Sequence, residues 1–194
     1  MIQTLADLKS YIAADRRAYG WPEHLTLKER IVHWLFPDRH VRFMTYLRLL
    51  EYYTANSGGV NRVKMLYYST RLSKLRAQTG IELSPGVAGP GLHLSHGKVV
   101  ISAIAKIGSN CKILSDVTIG GQGRYDRHGA PQIGDRVFIG SGAKIIGNIT
   151  IADDCVIGAN AVVTKSITEP GTTWVGNPAR KVSDTGSYHY LHRE

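Results

Sequence analysis

Two histidines, His93 and His96, stand three residues apart in the segment HLSH. Such a pair suggests either a metal site or a base that transfers protons. In an extended chain an odd spacing directs the two imidazoles to opposite faces, so they make a poor pair of metal ligands. Only His128 could complete a set of three, and we therefore predict no metal site. His96 is flanked by the polar Ser95 and by Gly97, not by an apolar stripe, which favours a chemical role over a structural one.

Arg127 and His128 belong to a second segment rich in residues that bind or ionise, residues 121–131, GQGRYDRHGAP. This segment interrupts a regular repeat: the aliphatic residue due at position 125 arrives 8 positions late, at Ile133. We therefore predict an 8-residue loop, lying within 121–132, that leaves the repeat. Loops that project from a rigid scaffold often carry function.

The repeat itself returns an aliphatic residue at every sixth position, which is neither a helical nor an ordinary strand period. Its members are Ile101, Ile107, Ile113, Ile119, Ile133, Ile139, Ile145, Ile151, Ile157 and Val163. Hexads of this kind are typical of a parallel β-helix, in which three six-residue units close one triangular coil. A β-sandwich with Ile-rich strands is the alternative, and it does not explain ten matches in one phase.

Both cysteines, Cys111 and Cys155, occupy the small inward position of their hexads, which favours core packing over a nucleophile or a disulfide. They are 44 residues apart, and subtracting the 8 loop residues leaves 36, or two full coils. We predict free, buried thiols two rungs apart, with Cα atoms roughly 10 Å from each other. A disulfide needs less than about 7 Å.

Residues 1–80 have helical periodicity, with Thr4 and Asp38 as N-cap candidates and a capping box formed by Thr26 and Glu29. We expect these helices to pack on the first coil and to cover its unpaired backbone groups. The predicted fold is therefore mainly β: an α-helical region (1–80), a β-helix (81–181) and a polar tail (182–194).

The chain carries a net charge of +9, of which residues 1–80 contribute +7, from 13 Lys and Arg against 6 Asp and Glu. We find no nucleic-acid motif. For the basic helix predicted over residues 60–77 we favour a capping role over a membrane-surface role. The sequence has no run of about 18 apolar residues and no secretory signal, so we expect a soluble, cytoplasmic protein.

The hexads, the loop and the GNPAR segment at 176–180 resemble serine acetyltransferases and their relatives in surface-polysaccharide gene clusters, which are hexapeptide-repeat acyltransferases. The resemblance covers roughly residues 80–181. It is carried by GIELSPG (80–86), LSHG (94–97), VTIGGQG (117–123), DRHGAPQIG (126–134) and GSGAKIIGNITI (140–151). It implies a left-handed helix, acetyl-CoA as the acyl donor, and a homotrimer that binds the donor between neighbouring solenoids.

By this resemblance His96 is the general base and Glu82 the carboxylate that orients it. An alcohol has too high a pKa to attack a thioester unaided, and an imidazole can accept its proton as attack proceeds. A carboxylate on the far ring nitrogen fixes the tautomer and stabilises the imidazolium.

The resemblance places Arg127 and His128 on the carboxylate of an amino-acid acceptor. Ser95 stands where the family has an Asp that helps to hold the substrate ammonium, and DRHGAP is two residues longer than the family's DRHP. L-Serine is therefore the expected acceptor, and a sugar hydroxyl in surface-polysaccharide biosynthesis is the alternative, since a sugar needs no such counter-charge.

The resemblance also implies a set of residues that hold CoA. The pantetheine arm would run along Gly142, Ala143, Ala159 and Asn160, and its phosphates would meet Lys165 and Arg180. A third hypothesis, from another class, is a non-catalytic solenoid that organises partner proteins through its basic helices, and the pairing of Glu82 with His96 counts against it.

Overall fold

The computed structural model describes residues 2–21, 26–27, 38–122 and 129–191. Three α-helices come first among these residues: α1 (Leu5–Ala18), α2 (Arg39–Ala55) and α3 (Val60–Thr79). The side chains of Thr4 and Asp38 cap α1 and α2, which confirms both predicted N-caps. The predicted helix that begins at Thr26 lies mostly outside the described residues. Within the described ranges no helix has the length and apolar character needed to cross a bilayer.

Short strands follow along the chain. They are β1 (His93–Leu94), β2 (Val100–Ile101), β3 (Lys106–Ile107), β4 (Lys112–Ile113), β5 (Thr118–Gly120), β6 (Gln132–Ile133), β7 (Phe138–Ile139), β8 (Lys144–Ile146), β9 (Thr150–Ile151), β10 (Val156–Ile157), β11 (Val162–Val163), β12 (Thr173–Val175) and β13 (Arg180–Ser183).

These strands form three sheets, which are the faces of a left-handed parallel β-helix. Face A holds β2, β5, β8 and β11; face B holds β3, β6 and β9; face C holds β1, β4, β7, β10, β12 and β13. The chain turns from face C to face A at one edge of the prism, edge CA, and from face A to face B at a second, edge AB. The parallel β-helix predicted from the hexads is therefore correct, as is the left hand that the resemblance implies.

The registers confirm the inward repeat. Ile101, Ile119, Ile145 and Val163 are consecutive partners on face A. On face C, Lys112 pairs with Phe138 and Phe138 with Val156, so Cys111, Val137 and Cys155 occupy successive rungs. Both cysteines are free and buried, as predicted.

The registers also show an 8-residue insertion where the loop is predicted, although residues 123–128 of that loop lie outside the described residues. Lys106 pairs with Gln132, 26 residues later, whereas Gln132 pairs with Thr150, 18 residues later, so the coil between them holds 8 extra residues. The described residues on either side of the insertion place it at edge AB.

The helices do more than cover the first coil, because their side chains hydrogen-bond its backbone. Arg48 is fully buried, and its guanidinium donates to the carbonyl oxygens of Ala88 and Gly89 at 2.9 and 2.6 Å. The same guanidinium binds the carboxylates of Asp15 and Glu51. Since a buried polar group without a partner is costly, these bonds replace the strand that the first coil lacks.

The carboxylates of Asp15 and Glu51 also accept hydrogen bonds from backbone amides of the first coil. Asp15 accepts from the amides of Gly91 and Leu92 at 2.8 and 3.2 Å, and Glu51 accepts from the amide of Gly86 at 2.8 Å. The helical region is therefore joined to the solenoid by a buried, charge-assisted network.

At the other end, β13 pairs antiparallel with β12 and crosses the boundary predicted at residue 181. The chain then folds back over face C, where Ser187 is buried and donates to the carbonyl of Arg136. The ring of Tyr190 stacks on Phe138 with centroids 4.6 Å apart. The tail through Leu191 is thus packed on the solenoid, although His189 is exposed.

Candidate active site

His96 lies at edge CA of the first complete rung, and its side chain is exposed. The corner it occupies is one residue longer than the next: 7 residues separate the paired positions His93 and Val100, against 6 between Lys112 and Thr118. The extra residue changes the backbone, because His96 has a φ of 70°, a left-handed conformation that L-residues rarely adopt.

The end of α3 holds this corner in place. The amide of Lys98 donates to the carbonyl of Thr79 at 2.9 Å. A Cβ at Gly97 would lie 2.0 Å from that same carbonyl oxygen, so a larger residue does not fit. The position of His96 therefore depends on the contact between the helical region and the solenoid.

Glu82 lies on face A, one rung below the strand that follows His96. Its amide donates to the carbonyl of Val99 at 2.7 Å, and it forms a parallel bridge with Val100. The Glu82 side chain is exposed, as is that of His96. Glu82 and His96 thus lie in adjacent rungs near edge CA. Within the described range 38–122, their side chains form no hydrogen bond with each other.

An open cleft of about 730 Å³ crosses face A beside Glu82. Arg76 and Ala77 from α3 and Ser102 from the solenoid are among the residues that line it. Gly120 and Gly121, from which the 8-residue loop departs, also line it. The cleft therefore connects Glu82 with the base of the loop.

His93, unlike His96, is half-buried, and it contacts Tyr19 and Ser95. Its ring packs on Tyr19 with centroids 4.4 Å apart, and its Nε2 lies 3.0 Å from the Ser95 hydroxyl. The Tyr19 hydroxyl is 3.1 Å from both the amide and the carbonyl of Leu94. Burial raises the pKa of Tyr19 above its ordinary value, so the hydroxyl stays protonated and can both donate and accept.

A column of backbone amides rises from His96 along edge CA. The registers on face C stack His96 below Ser115, then Ser141, then Ala159. The amides of Ser115, Ser141 and Ala159 donate to none of the described residues. Three rungs, or roughly 14 Å, separate Ala159 from His96. These amides can bind carbonyl oxygens of an extended ligand.

The residues that the resemblance assigns to the pantetheine arm lie on this edge, but most of their amides are already engaged. Gly142 donates to Ser115 at 2.9 Å, Ala143 to Gly140 at 3.3 Å, and Asn160 to Ser141 at 2.8 Å. Sequence reasoning missed Ser115 and Ser141, although their place two residues after an inward isoleucine marks the same corner position as Ala159.

Lys165 and Arg180 are separated within one chain. Arg180 is exposed at the start of β13, directly after the last turn of edge CA. Lys165 is exposed two residues after β11, at edge AB. The predicted substrate residues Arg127 and His128 lie outside the described residues, and the segments that flank them also lie at edge AB.

Among residues 2–21, 26–27, 38–122 and 129–191 no cluster of His, Cys, Asp or Glu could hold a metal ion.

The family model for bacterial transferase hexapeptide repeats matches residues 130–165. A comparison with curated protein sequences found no match. Three solved structures of serine acetyltransferases align with nearly the whole chain. The soybean enzyme complexed with serine is 34% identical, with a TM-score of 0.72 and coverage of 91% of this chain and 70% of that one.

The enzyme from Brucella abortus strain S19 is 30% identical, with a TM-score of 0.66 and coverage of 94% of this chain and 70% of that one. A serine acetyltransferase in complex with CoA is 26% identical, with a TM-score of 0.68 and coverage of 92% of this chain and 71% of that one. The fold and these matches define a hexapeptide-repeat transferase. Within that class, the chain belongs to the serine acetyltransferase-like members and is an acetyltransferase.

Proposed function

We propose that this protein transfers an acetyl group from acetyl-CoA to an alcohol, with His96 as the general base. The observation that carries this proposal is the column of backbone amides above His96 on edge CA, those of Ser115, Ser141 and Ala159. None of the three donates a hydrogen bond to the described residues. A thioester laid along the column, with its acetyl end at the first rung, would meet the imidazole at one end and the amides above it.

In the proposed reaction the acceptor hydroxyl attacks the thioester carbonyl, forming a C–O bond, and the C–S bond then breaks. His96 accepts the hydroxyl proton and returns it to the CoA thiolate. Glu82, near the same edge, would orient the imidazole and stabilise its charged form. The described cysteines, Cys111 and Cys155, are buried, so transfer is direct and not through an acyl-cysteine.

L-Serine is the acceptor that we propose first. The motif DRHGAP retains Arg127 and His128, and a guanidinium suits a carboxylate partner. Similarity to an enzyme solved with serine supports the same acceptor. A sugar hydroxyl is the second candidate, and it is favoured by Ser95, whose hydroxyl at the catalytic corner gives no negative charge to hold an ammonium.

We further propose that the working unit is a homotrimer with each site between two chains. Within one chain, His96 and the amide column lie at edge CA, whereas Lys165 and the base of the loop lie at edge AB. Edge CA of one chain placed against edge AB of its neighbour would bring all of these groups into one groove.

Replacement of His96 by Ala tests the catalytic assignment. We expect turnover to fall by at least about a hundredfold, because general-base assistance is worth roughly 10² to 10⁴ in rate. His189→Ala, at another exposed histidine, is the matched control and should retain wild-type turnover. Thiol release from acetyl-CoA measures both, and wild-type activity in the correctly folded His96→Ala variant would refute the assignment.

The acceptor is tested separately with the wild-type protein. Thiol release is compared for L-serine and for a panel of nucleotide sugars and oligosaccharides. Activity confined to the sugars would reverse the order of the two candidates. Calorimetry that shows no CoA binding at about millimolar concentration, far weaker than ordinary enzyme–substrate affinity, would instead favour a non-catalytic scaffold.

A further inference from the structure

The outward face of α3 presents an apolar stripe to solvent. Val60, Val63, Leu66 and Tyr67 are 72, 67, 59 and 49% exposed. Their spacing of three and four residues places them on one side of the helix, and Leu72 and Leu75 are buried on the opposite side. Apolar side chains clustered in this way, and not scattered singly, mark an interaction surface.

Cations border this stripe on both sides. At about 100° per residue, Arg62 lies on one flank, and Lys64 and Arg71 lie on the other. Lys74 continues the line of the stripe toward the end of the helix. All four are exposed. The sequence of α3 contains five Lys and Arg residues and no Asp or Glu, so nothing within the helix offsets this charge.

We propose that this stripe and its flanking cations bind the surface of an anionic lipid bilayer, with α3 lying in the plane of the interface. Apolar side chains entering the acyl boundary beside cations that meet anionic headgroups are the two attractions that hold an interfacial helix. Tyr67, whose hydroxyl accepts from Arg71 Nε at 3.1 Å, has the amphipathic ring that membrane interfaces favour.

Charge argues against the simplest protein partner, a second copy of the chain. A two-fold contact through α3 would place the cations of one copy against those of the other. The repulsion would persist across the whole stripe, since α3 has no acidic residue. An anionic surface, in contrast, complements every charged residue of the helix.

The location of the stripe gives this binding a consequence for the site. Tyr67 precedes Arg76 by nine residues, or roughly 14 Å along the helix. Arg76 lines the cleft on face A together with Glu82. A bilayer bound to the first half of α3 would therefore lie within roughly 14 Å, along the helix axis, of a residue that lines the cleft.

Co-sedimentation with vesicles tests the proposal with the full-length protein. We expect the wild type to pellet with vesicles of two parts phosphatidylcholine to one part phosphatidylglycerol, to remain in solution with pure phosphatidylcholine, and to be released by high salt. Val63→Gln combined with Leu66→Gln should weaken partitioning by at least about tenfold. Arg62→Gln combined with Lys74→Gln should weaken it similarly.

Each variant has a matched control on another part of the surface. Val182→Gln removes an apolar side chain that is 59% exposed, and Lys9→Gln removes an exposed cation of α1; both should bind like the wild type. Circular dichroism verifies folding, which exposed substitutions should not disturb. No pelleting of the wild type, or equal pelleting of the Val63/Leu66 variant, would overturn the proposal. So would a stripe variant that changes only the oligomeric state measured by light scattering, since that result assigns the face to a second copy.

Discussion

His96 adopts a left-handed backbone conformation that its stacked neighbours Ser115, Ser141 and Ala159 do not share. Such a conformation costs on the order of 1–3 kcal/mol in a residue other than glycine, and it persists only where the surroundings impose it. Here the extra residue of the corner and the contact with Thr79 impose it. Left-handed residues also occur at regular corner positions of this edge, at Lys98, Asp116 and Asn160, so His96 differs from its stacked neighbours because its corner is one residue longer.

The two cysteines show the opposite environment, because each lies inside the prism. Burial raises the pKa of the Cys111 thiol to about 12, so the thiol is almost entirely protonated at about pH 9. An exposed thiol, with a pKa near 8.5, would by contrast be mostly ionised at about pH 9. Cys111 therefore lacks the thiolate that reacts with electrophiles.

We predict that a colorimetric thiol reagent at about pH 9 modifies neither Cys111 nor Cys155 in the folded protein and modifies both after denaturation. Mass spectrometry of the treated protein before and after guanidinium identifies the labelled residues. Rapid labelling of Cys111 in the native state would show that the inward assignment of its rung is wrong.

At the scale of elements, the join between the helices and the first coil depends on one buried guanidinium. The Arg48 guanidinium donates hydrogen bonds of 3.3 Å or less to groups from α1, α2 and the first coil. Removing one partner from such a network leaves the others buried without compensation. Removal of the Arg48 guanidinium would leave the carboxylates of both Asp15 and Glu51 without their counter-charge.

We predict that Arg48→Met lowers the free energy of unfolding by about 3–5 kcal/mol, because two carboxylates lose their buried counter-charge. Arg39→Met, at an exposed position on the same helix, should change it by less than about 0.5 kcal/mol. Urea denaturation followed by circular dichroism gives both values. If the two variants are equally stable, the network does not hold the helices to the solenoid.

Sequence periodicity was sufficient for the coils, since the inward Ile residues alone determine the rungs and the loop insertion interrupts them visibly. It was not sufficient for Arg48 or Asp15, which look like solvated helix residues until the unpaired end of the first coil is placed beside them. The unpaired amides of Ser115 and Ser141 could not be predicted for a related reason. The type of a residue does not show whether its backbone amide donates a hydrogen bond. The antiparallel β13 and the packed tail follow no hexad, so no repeat could predict them.

For the whole molecule, the proposed site is divided between two edges of the prism. His96 lies at edge CA and the loop leaves from edge AB, with the width of face A between them. Two chains can supply both edges to one groove, which is why a trimer would contain three equivalent sites.

We predict a homotrimer at micromolar concentration by light scattering and, more specifically, complementation between inactive variants. His96→Ala and Arg127→Ala chains, each inactive alone, should regain part of the wild-type turnover when coexpressed, because mixed trimers then contain some grooves with both residues intact. Coexpression of His96→Ala with Glu82→Gln is the matched control and should restore nothing, since both residues lie near the same edge. A monomer by light scattering, or no recovery in the first mixture, would contradict shared sites.

The buried network under the first coil also defines where the solenoid begins. Hexads are nearly interchangeable, so a coil of isoleucines could in principle start one rung later with most of its inward contacts preserved. Only the segment from Gly86 to Leu92 offers Arg48, Asp15 and Glu51 the carbonyls and amides that they bind. A start one rung later would leave three buried charges without those partners. Because the helices are synthesised first, each new chain has its starting template before the first hexad is made, and later coils need only add to it.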